Sequence, residues 1–157
     1  MRVNSPKTLE RRISQNRRAH FEYEIEEVVE AGLVLLGTEV KALRQGTANL
    51  EDAWVSIDEH GRAQLLKCHV PPYTQAGPAN HEPLRPRPLL LHTEEAQRLR
   101  QRIKEKGLTL VPIRLYFKGP WVKLEFGIGR GKKLHDKRAS LREKDDKREA
   151  DRAMRQR

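Results

Sequence analysis

Glu30, Glu39 and Asp52 are the carboxylates whose placement could serve acid–base or two-metal nuclease chemistry. Glu39 and Asp52 stand at the boundaries of patterned segments, where helix capping and turn formation use the same residue types. Capping and surface pairing are therefore favoured, although composition alone leaves a nuclease open. Cys68 is the sole cysteine, so no internal disulfide can form. It adjoins His69 within a strand pattern, where neighbours point to opposite faces, and reads as a buried, inert thiol rather than a nucleophile. His20, His60, His69, His81, His92 and His135 include no pair at i,i+4, and one cysteine cannot supply a zinc cage. No metal or cofactor is expected. Gly127-Ile128-Gly129-Arg130-Gly131-Lys132 invites a phosphate-loop reading, but the motif needs glycine at 126 and Ser or Thr at 133, and Phe126 and Lys133 stand there. The run reads instead as a flexible exit from a strand, where bare backbone and cations can approach phosphates.

These residues need elements to hold them. Phe21, Tyr23 and Ile25 alternate with glutamates, the period of a half-buried strand; Glu30-Ala31-Gly32 can turn the chain into a second strand over 33–37. Glu39 to Gln45 predicts a short helix closed at Gly46. Ala53–Ile57 and Ala63–Val70 predict a hairpin about Asp58-Glu59-His60-Gly61. Six of the nine prolines fall in residues 71–88, a long loop. Thr93, Glu94 and Glu95 begin a helix that Gly107 ends. Leu108–Lys118 and Trp121–Ile128 form a hairpin about Gly119-Pro120, and Pro112 requires an edge or a bulge in it. The expected fold is mainly β: an OB-like antiparallel barrel of about six strands with flanking helices and a disordered basic tail, a β-sandwich being the fallback. The expected organisation is a flexible basic arm over 1–15, the barrel over 16–130 and the tail over 131–157.

Charge narrows the partners. Thirty-two Lys and Arg against 22 Asp and Glu leave +10, which attracts polyanions. Nucleic acid is the common reading and an anionic membrane the rarer one. No apolar run is long enough for a transmembrane helix, the first residues lack a secretory signal, and a cytoplasmic protein is the simplest fit. Residues 131–157 hold eleven basic against six acidic residues and few apolar ones. Such a segment cannot bury enough surface to order itself, yet it is rich in helix formers, so an RNA groove could fold it on binding. The eight aromatic residues mostly occupy strand positions, which favours recognition of a folded RNA by shape and phosphate contacts over base stacking. Arg17, Arg18, Lys41, Arg44, Arg85 and Arg87 could neutralise phosphates. About six contacts give a log–log salt slope of roughly −4 to −5.

Five blocks carry a resemblance: Gly37-Thr38-Glu39-Val40-Lys41-Ala42-Leu43-Arg44-Gln45-Gly46-Thr47-Ala48-Asn49-Leu50, Glu30-Ala31-Gly32, Leu89-Leu90-Leu91, Leu115-Tyr116-Phe117-Lys118 and Gly131-Lys132-Lys133-Leu134-His135-Asp136-Lys137-Arg138. In order and spacing they resemble the SmpB family, the SsrA-binding proteins of bacterial trans-translation. The resemblance implies an OB-type barrel that binds the tRNA-like domain of tmRNA and has no catalytic activity. The complex would enter stalled ribosomes, with the tail helical in the decoding centre and empty mRNA channel against small-subunit rRNA. Elongation factor Tu and alanyl-tRNA synthetase would act on the RNA that the protein holds. By position, Asn16, Glu30 and Leu90 match the family's tmRNA-binding surface, to which Arg17, Arg18, Lys41 and Arg44 add cations. Lys132, Lys133, Asp136, Lys137 and Arg138 match the start of the family's tail, and His135 the residue expected to stack in the decoding centre. Phe21 stands where a histidine is common, and Pro88 where a lysine is common. A general RNA chaperone and a carboxylate-dependent nuclease are the alternative readings.

Overall fold

The computed structural model describes residues 9–155, and among residues 134–136 it describes the backbone only. Seven strands form one antiparallel sheet: β1 (Glu10–Gln15), β2 (Tyr23–Leu33), β3 (Trp54–Ile57), β4 (Ala63–Leu66), β5 (Arg87–Leu90), β6 (Thr109–Lys118) and β7 (Trp121–Gly131). Their order is β1-β6-β7-β2-β5-β4-β3. Four helices flank it: α1 (Ala19–Glu22), α2 (Gly37–Gln45), α3 (Thr93–Lys106) and α4 (Leu134–Arg155). The expected antiparallel β architecture with flanking helices is what forms, but the hydrogen-bonded ladder is open, with β1 and β3 as its edges. No described helix is long and apolar enough to cross a membrane.

Several elements follow from local chemistry. Gly107 adopts φ +64° and closes α3, its amide donating to the Ile103 carbonyl at 3.0 Å. Gly119, at φ +59°, takes the first central position of the β6–β7 turn, where a side chain would be strained. The β1 ladder ends at Arg114, so Pro112 is laddered to β7 alone, and the register shifts between Pro112 and Arg114; the edge and the bulge expected for this proline are both present.

Three expectations give way. Residues 10–15 of the supposed flexible arm form β1, pairing Glu10 with Lys118 through Gln15 with Arg114; residues 1–8 lie outside the described ones. Glu30-Ala31-Gly32 does not turn, because β2 stays paired with β7 from Tyr23 to Gly32, where it passes to β5. The loop expected over 71–88 stops short, because Arg87 and Pro88 already belong to β5, which pairs with β2 and β4. The tail, expected to be disordered alone and helical on its target, forms α4, and every residue from Leu141 to Arg155 is exposed.

The core lies on one face of the sheet, where Leu43 of α2 and Leu99 of α3 meet Leu115, Leu124, Phe126 and Ile128. A second, smaller cluster of Ala19, Val111 and Ile113, with Tyr23 and Ile25, lies under α1 on the other face. Two bulges separate these sets. The shift between Ile25 and Glu27 turns Val29 and Ala31 towards the main core and Glu30 outward. The shift after Pro112 does the same for Leu115 and Phe117, leaving Arg114, Tyr116 and Lys118 on the outer face.

Gly127 and Gly129, read from sequence as a flexible exit, are instead packed inside β7. A Cβ on Gly129 would stand 2.1 Å from the Glu24 carbonyl oxygen, and one on Gly127 2.6 Å from Ile25 Cγ2. Backbone cannot yield there cheaply, so Gly129→Ala should cost about 2–3 kcal/mol or more, at the upper end of overpacking effects. Gly131→Ala, with nothing within 4 Å of its Cβ, should be tolerated. Urea midpoints of the two variants check the contrast, and equal midpoints would contradict it.

Candidate nucleic-acid interface

The outer face of β5, β2, β7 and β6 collects polar groups into one network. Glu30 accepts from the Tyr116 hydroxyl and, at 3.2 Å, from Lys118 Nζ. Burial opposes ionisation of the Glu30 carboxyl, but those two bonds prevail and hold it below the usual carboxylate range. Burial first, and then the bond to Glu30, push the Tyr116 phenol up. The Arg114 guanidinium lies 4.1 Å from the centre of the Tyr116 ring and bridges Glu10 at 3.2 Å and Glu125 at 3.1 Å. Beside this network a shallow depression is lined by Glu30, Gly32, Leu90, Leu91, His92, Glu95 and Lys123. Gly32 pairs with both Leu90 and Lys123, which places the three across neighbouring strands. Leu90 is 63% exposed, an apolar side chain held out to solvent at a polar rim. Lys123 escaped the sequence reading; the alternation of β7, with Val122, Leu124 and Phe126 inward, is the signal that could have found it.

Asn16 is buried, and its side chain is committed to the chain turn. Nδ2 donates to the Pro112 carbonyl at 3.0 Å, and Oδ1 accepts from the Arg18 amide at 3.3 Å. Asn16 thus fixes the corner that presents Arg17 and Arg18, which are exposed and have no side-chain partner among the described residues. The same end of the sheet carries the start of the tail. Lys132 donates its amide to the Glu22 carbonyl at 2.8 Å and its Nζ to Ser140 Oγ at 2.6 Å. Lys133 and Arg138 are exposed and Lys137 is half-buried. The His135 and Asp136 side chains lie outside the described ones.

The remaining cations divide. Lys41 and Arg44 sit on α2, away from that depression. Lys41 Nζ lies 5.7 Å from the centre of the Tyr73 ring, and Arg44 is exposed near the β6–β7 turn. Arg85 and Arg87 are not phosphate contacts as expected. Arg87 is 1% exposed and binds Glu39 and the Cys68 carbonyl, while Arg85 Nη2 meets Glu39 at 2.6 Å. Glu39 also accepts from the Leu36 amide at 2.8 Å, the capping role weighed for it. The three carboxylates considered for a nuclease are therefore spent or apart: Glu39 is buried among arginines, Glu30 is in the outer network, and Asp52 lies in a separate depression beside Trp54. No group of three or more His, Cys, Asp or Glu able to hold a metal occurs among the described residues. Burial pushes the Cys68 thiol up to about 11, leaving it protonated and inert.

Comparison with known proteins bears on this arrangement. The sequence profile described as "SmpB protein" matches residues 13–156. The SsrA-binding protein of Thermosynechococcus vestitus is 52% identical over 92% of this chain and 95% of its own. That of Gloeobacter violaceus is 53% identical over 89% and 91%. That of Syntrophobacter fumaroxidans is 48% identical over 100% and 98%. A solved chain described under "tmRNA-SmpB: a journey to the center of the bacterial ribosome" superimposes with a TM-score of 0.66 at 40% identity, covering 84% of this chain and 96% of that one.

Proposed function

The chain belongs to the SmpB family, and from that premise we propose that it is an RNA-binding adaptor of trans-translation, not an enzyme. Its outer face holds the tRNA-like domain of tmRNA, with Glu30, Leu90 and Lys123 at one depression and Arg17 and Arg18 at the Asn16 corner. Lys41 and Arg44 add phosphate contacts from α2. The tail, starting at Lys132, Lys133, His135, Asp136, Lys137 and Arg138, enters the decoding centre and empty mRNA channel of a stalled ribosome and lets the incomplete protein be tagged for degradation. Elongation factor Tu and alanyl-tRNA synthetase take part through the charged tmRNA, in the cytoplasm.

The observation that carries this reading is the separation of two surfaces. A packed sheet face offers fixed polar and cationic groups, while a basic helix exposed from Leu141 to Arg155 offers a second surface with no core of its own. A solitary polar helix is marginal in water, so a partner can supply most of its order. Its domain limits follow: a body through Gly131 and a tail beyond it, helical on the ribosome.

Binding to the tRNA-like domain should be tight and salt-sensitive. With Arg17, Arg18, Lys41, Arg44 and Lys123 as the body's phosphate contacts, the log–log slope should be roughly −3.5 to −4.5. Competition with bulk tRNA is the deciding arm. An adaptor keeps its preference for the tRNA-like domain, whereas equal displacement by bulk tRNA would make the protein a general RNA chaperone and end this reading. Cleavage of the bound RNA on adding Mg²⁺ would reinstate the nuclease.

A further inference from the structure

Between α1 and α4 lies a cleft with Arg17, Arg18 and Phe21 on the body side and Ser140, Leu141 and Lys144 on the tail side. We infer that this cleft is a phosphodiester site for RNA, completed only when α4 lies against α1, so that one backbone phosphate joins the body's grip to the direction of the tail. The inference rests on the RNA-binding reading and adds a site to it.

Four observations lead there. The cleft has no carboxylate in its lining; His20 completes the set. The head groups of Arg17, Arg18 and Lys144 have no partner among the described residues, whereas Arg98, Arg102 and Arg114 are all paired with glutamates. Cations gathered without counter-charge repel one another, and an anion seated among them removes that cost. Phe21 and Leu141 add apolar surface to the lining, on which a ribose or base face can rest while the phosphate meets the cations. Finally, the mouth is fastened before any ligand arrives. The Lys132 amide bonds Glu22 at 2.8 Å and Lys132 Nζ bonds Ser140 at 2.6 Å, tying the β7–α4 junction to α1 one helical turn from Lys144.

The phosphate can come from the tRNA-like domain or from ribosomal RNA, since both present the same group. Full-length wild-type protein, Arg18→Gln, Lys144→Gln and the double variant are titrated with each RNA, as isolated tRNA-like domain and as vacant small ribosomal subunits, across a salt series. Glutamine keeps helix propensity, and far-UV circular dichroism checks that α4 is retained. Each single variant should weaken binding to the same RNA by up to roughly eightfold at 0.1 M salt and make the slope shallower by up to about 0.9, the whole share of one phosphate. The double variant should lose less than the product of the singles, because both head groups meet one group. The RNA that shows the loss identifies the source. A Lys144→Gln protein indistinguishable from wild type on both RNAs overturns the site, as do losses that multiply independently or fall on different RNAs. Wild-type protein with no preference for the tRNA-like domain overturns the functional reading instead.

Discussion

Ending the chain after Lys133 should abolish tagging on stalled ribosomes while leaving most of the affinity for the tRNA-like domain. The cut keeps the pairing of Gly131 with Tyr23 and the Lys132–Glu22 bond, and it removes no residue of either buried cluster. The body therefore stays folded. Binding should fall by no more than the one phosphate assigned to Lys144, roughly eightfold at 0.1 M salt. Tagging is expected to drop to background because α3, the other long helix among the described residues, packs on the core through Ala96 and Leu99 and cannot stand in for an exposed basic tail. A second variant separates helix from charge. Ala150→Pro leaves every cation in place but costs about 3 kcal/mol within a helix that burial does not support. It should reproduce much of the tagging defect with unchanged binding to the tRNA-like domain. Tagging at the wild-type level by the truncated protein would refute the division of labour, and full tagging by Ala150→Pro would make the tail an unstructured polycation.

The division was readable from sequence because it is written in composition and in local punctuation. The surplus of cations beyond Gly131, the alternation in β6 and β7, the glycines that end α3 and turn β6 into β7, and the constraint at Pro112 all act over a few residues. What escaped depends on distant partners. β1 holds Ile13 as its only buried residue, so Glu10-Arg11-Arg12 looked like a solvated arm; its ordering comes from β6, a hundred residues away. Gly129 looked permissive because a glycine's freedom is visible in sequence, but the Glu24 carbonyl that forbids a side chain is not.

The bulges are the deeper reason. One extra residue in β2 and one in β6 reverse which parity faces inward, so strict alternation mislabels whichever half it is not fitted to. Glu30 reaches the outer face through one such reversal, and Tyr116 and Lys118 reach it through the other. The network that holds Glu30 could not be assembled from spacing, although Glu30, Tyr116 and Lys118 each stood in a block that carried the family resemblance. Arginine was the other blind spot. Charge counted Arg85 and Arg87 as surface, yet in β5 Arg87 shares its parity with the buried Leu89, and Pro88 shares that of the exposed Leu90. Reading β5 as a strand would have turned Arg87 inward and raised the question of what neutralises it.

Glu39 answers that question, and Glu39→Gln should be among the most destabilising single changes in the chain. Glu39 has no exposed surface and Arg87 only 1%, and among the described residues no buried side-chain nitrogen or oxygen lacks a partner. The carboxylate joins three segments: Arg85 and Arg87 at the end of the proline-rich loop, the Leu36 amide at the start of α2 and, through Arg87, the Cys68 carbonyl. Neutralising it strands a buried guanidinium, which costs about 3–5 kcal/mol, a large share of the roughly 5–15 kcal/mol that holds a domain together. Arg85→Gln should cost far less, because Arg85 is 25% exposed and water can replace it at the carboxylate. Acid should act on the same group. Burial opposes the charged form of Glu39, yet the Arg85 bond, the Leu36 amide and the Arg87 charge prevail and depress its pKa below the ordinary 4.5. The stabilisation is thus complete above 4.5 and fades as pH falls from there through the depressed folded value. Urea midpoints of wild type should decline over that acid range, and those of Glu39→Gln should start low and decline less. A neutral-pH midpoint for Glu39→Gln within error of wild type would mean that the buried arginines do not depend on this carboxylate.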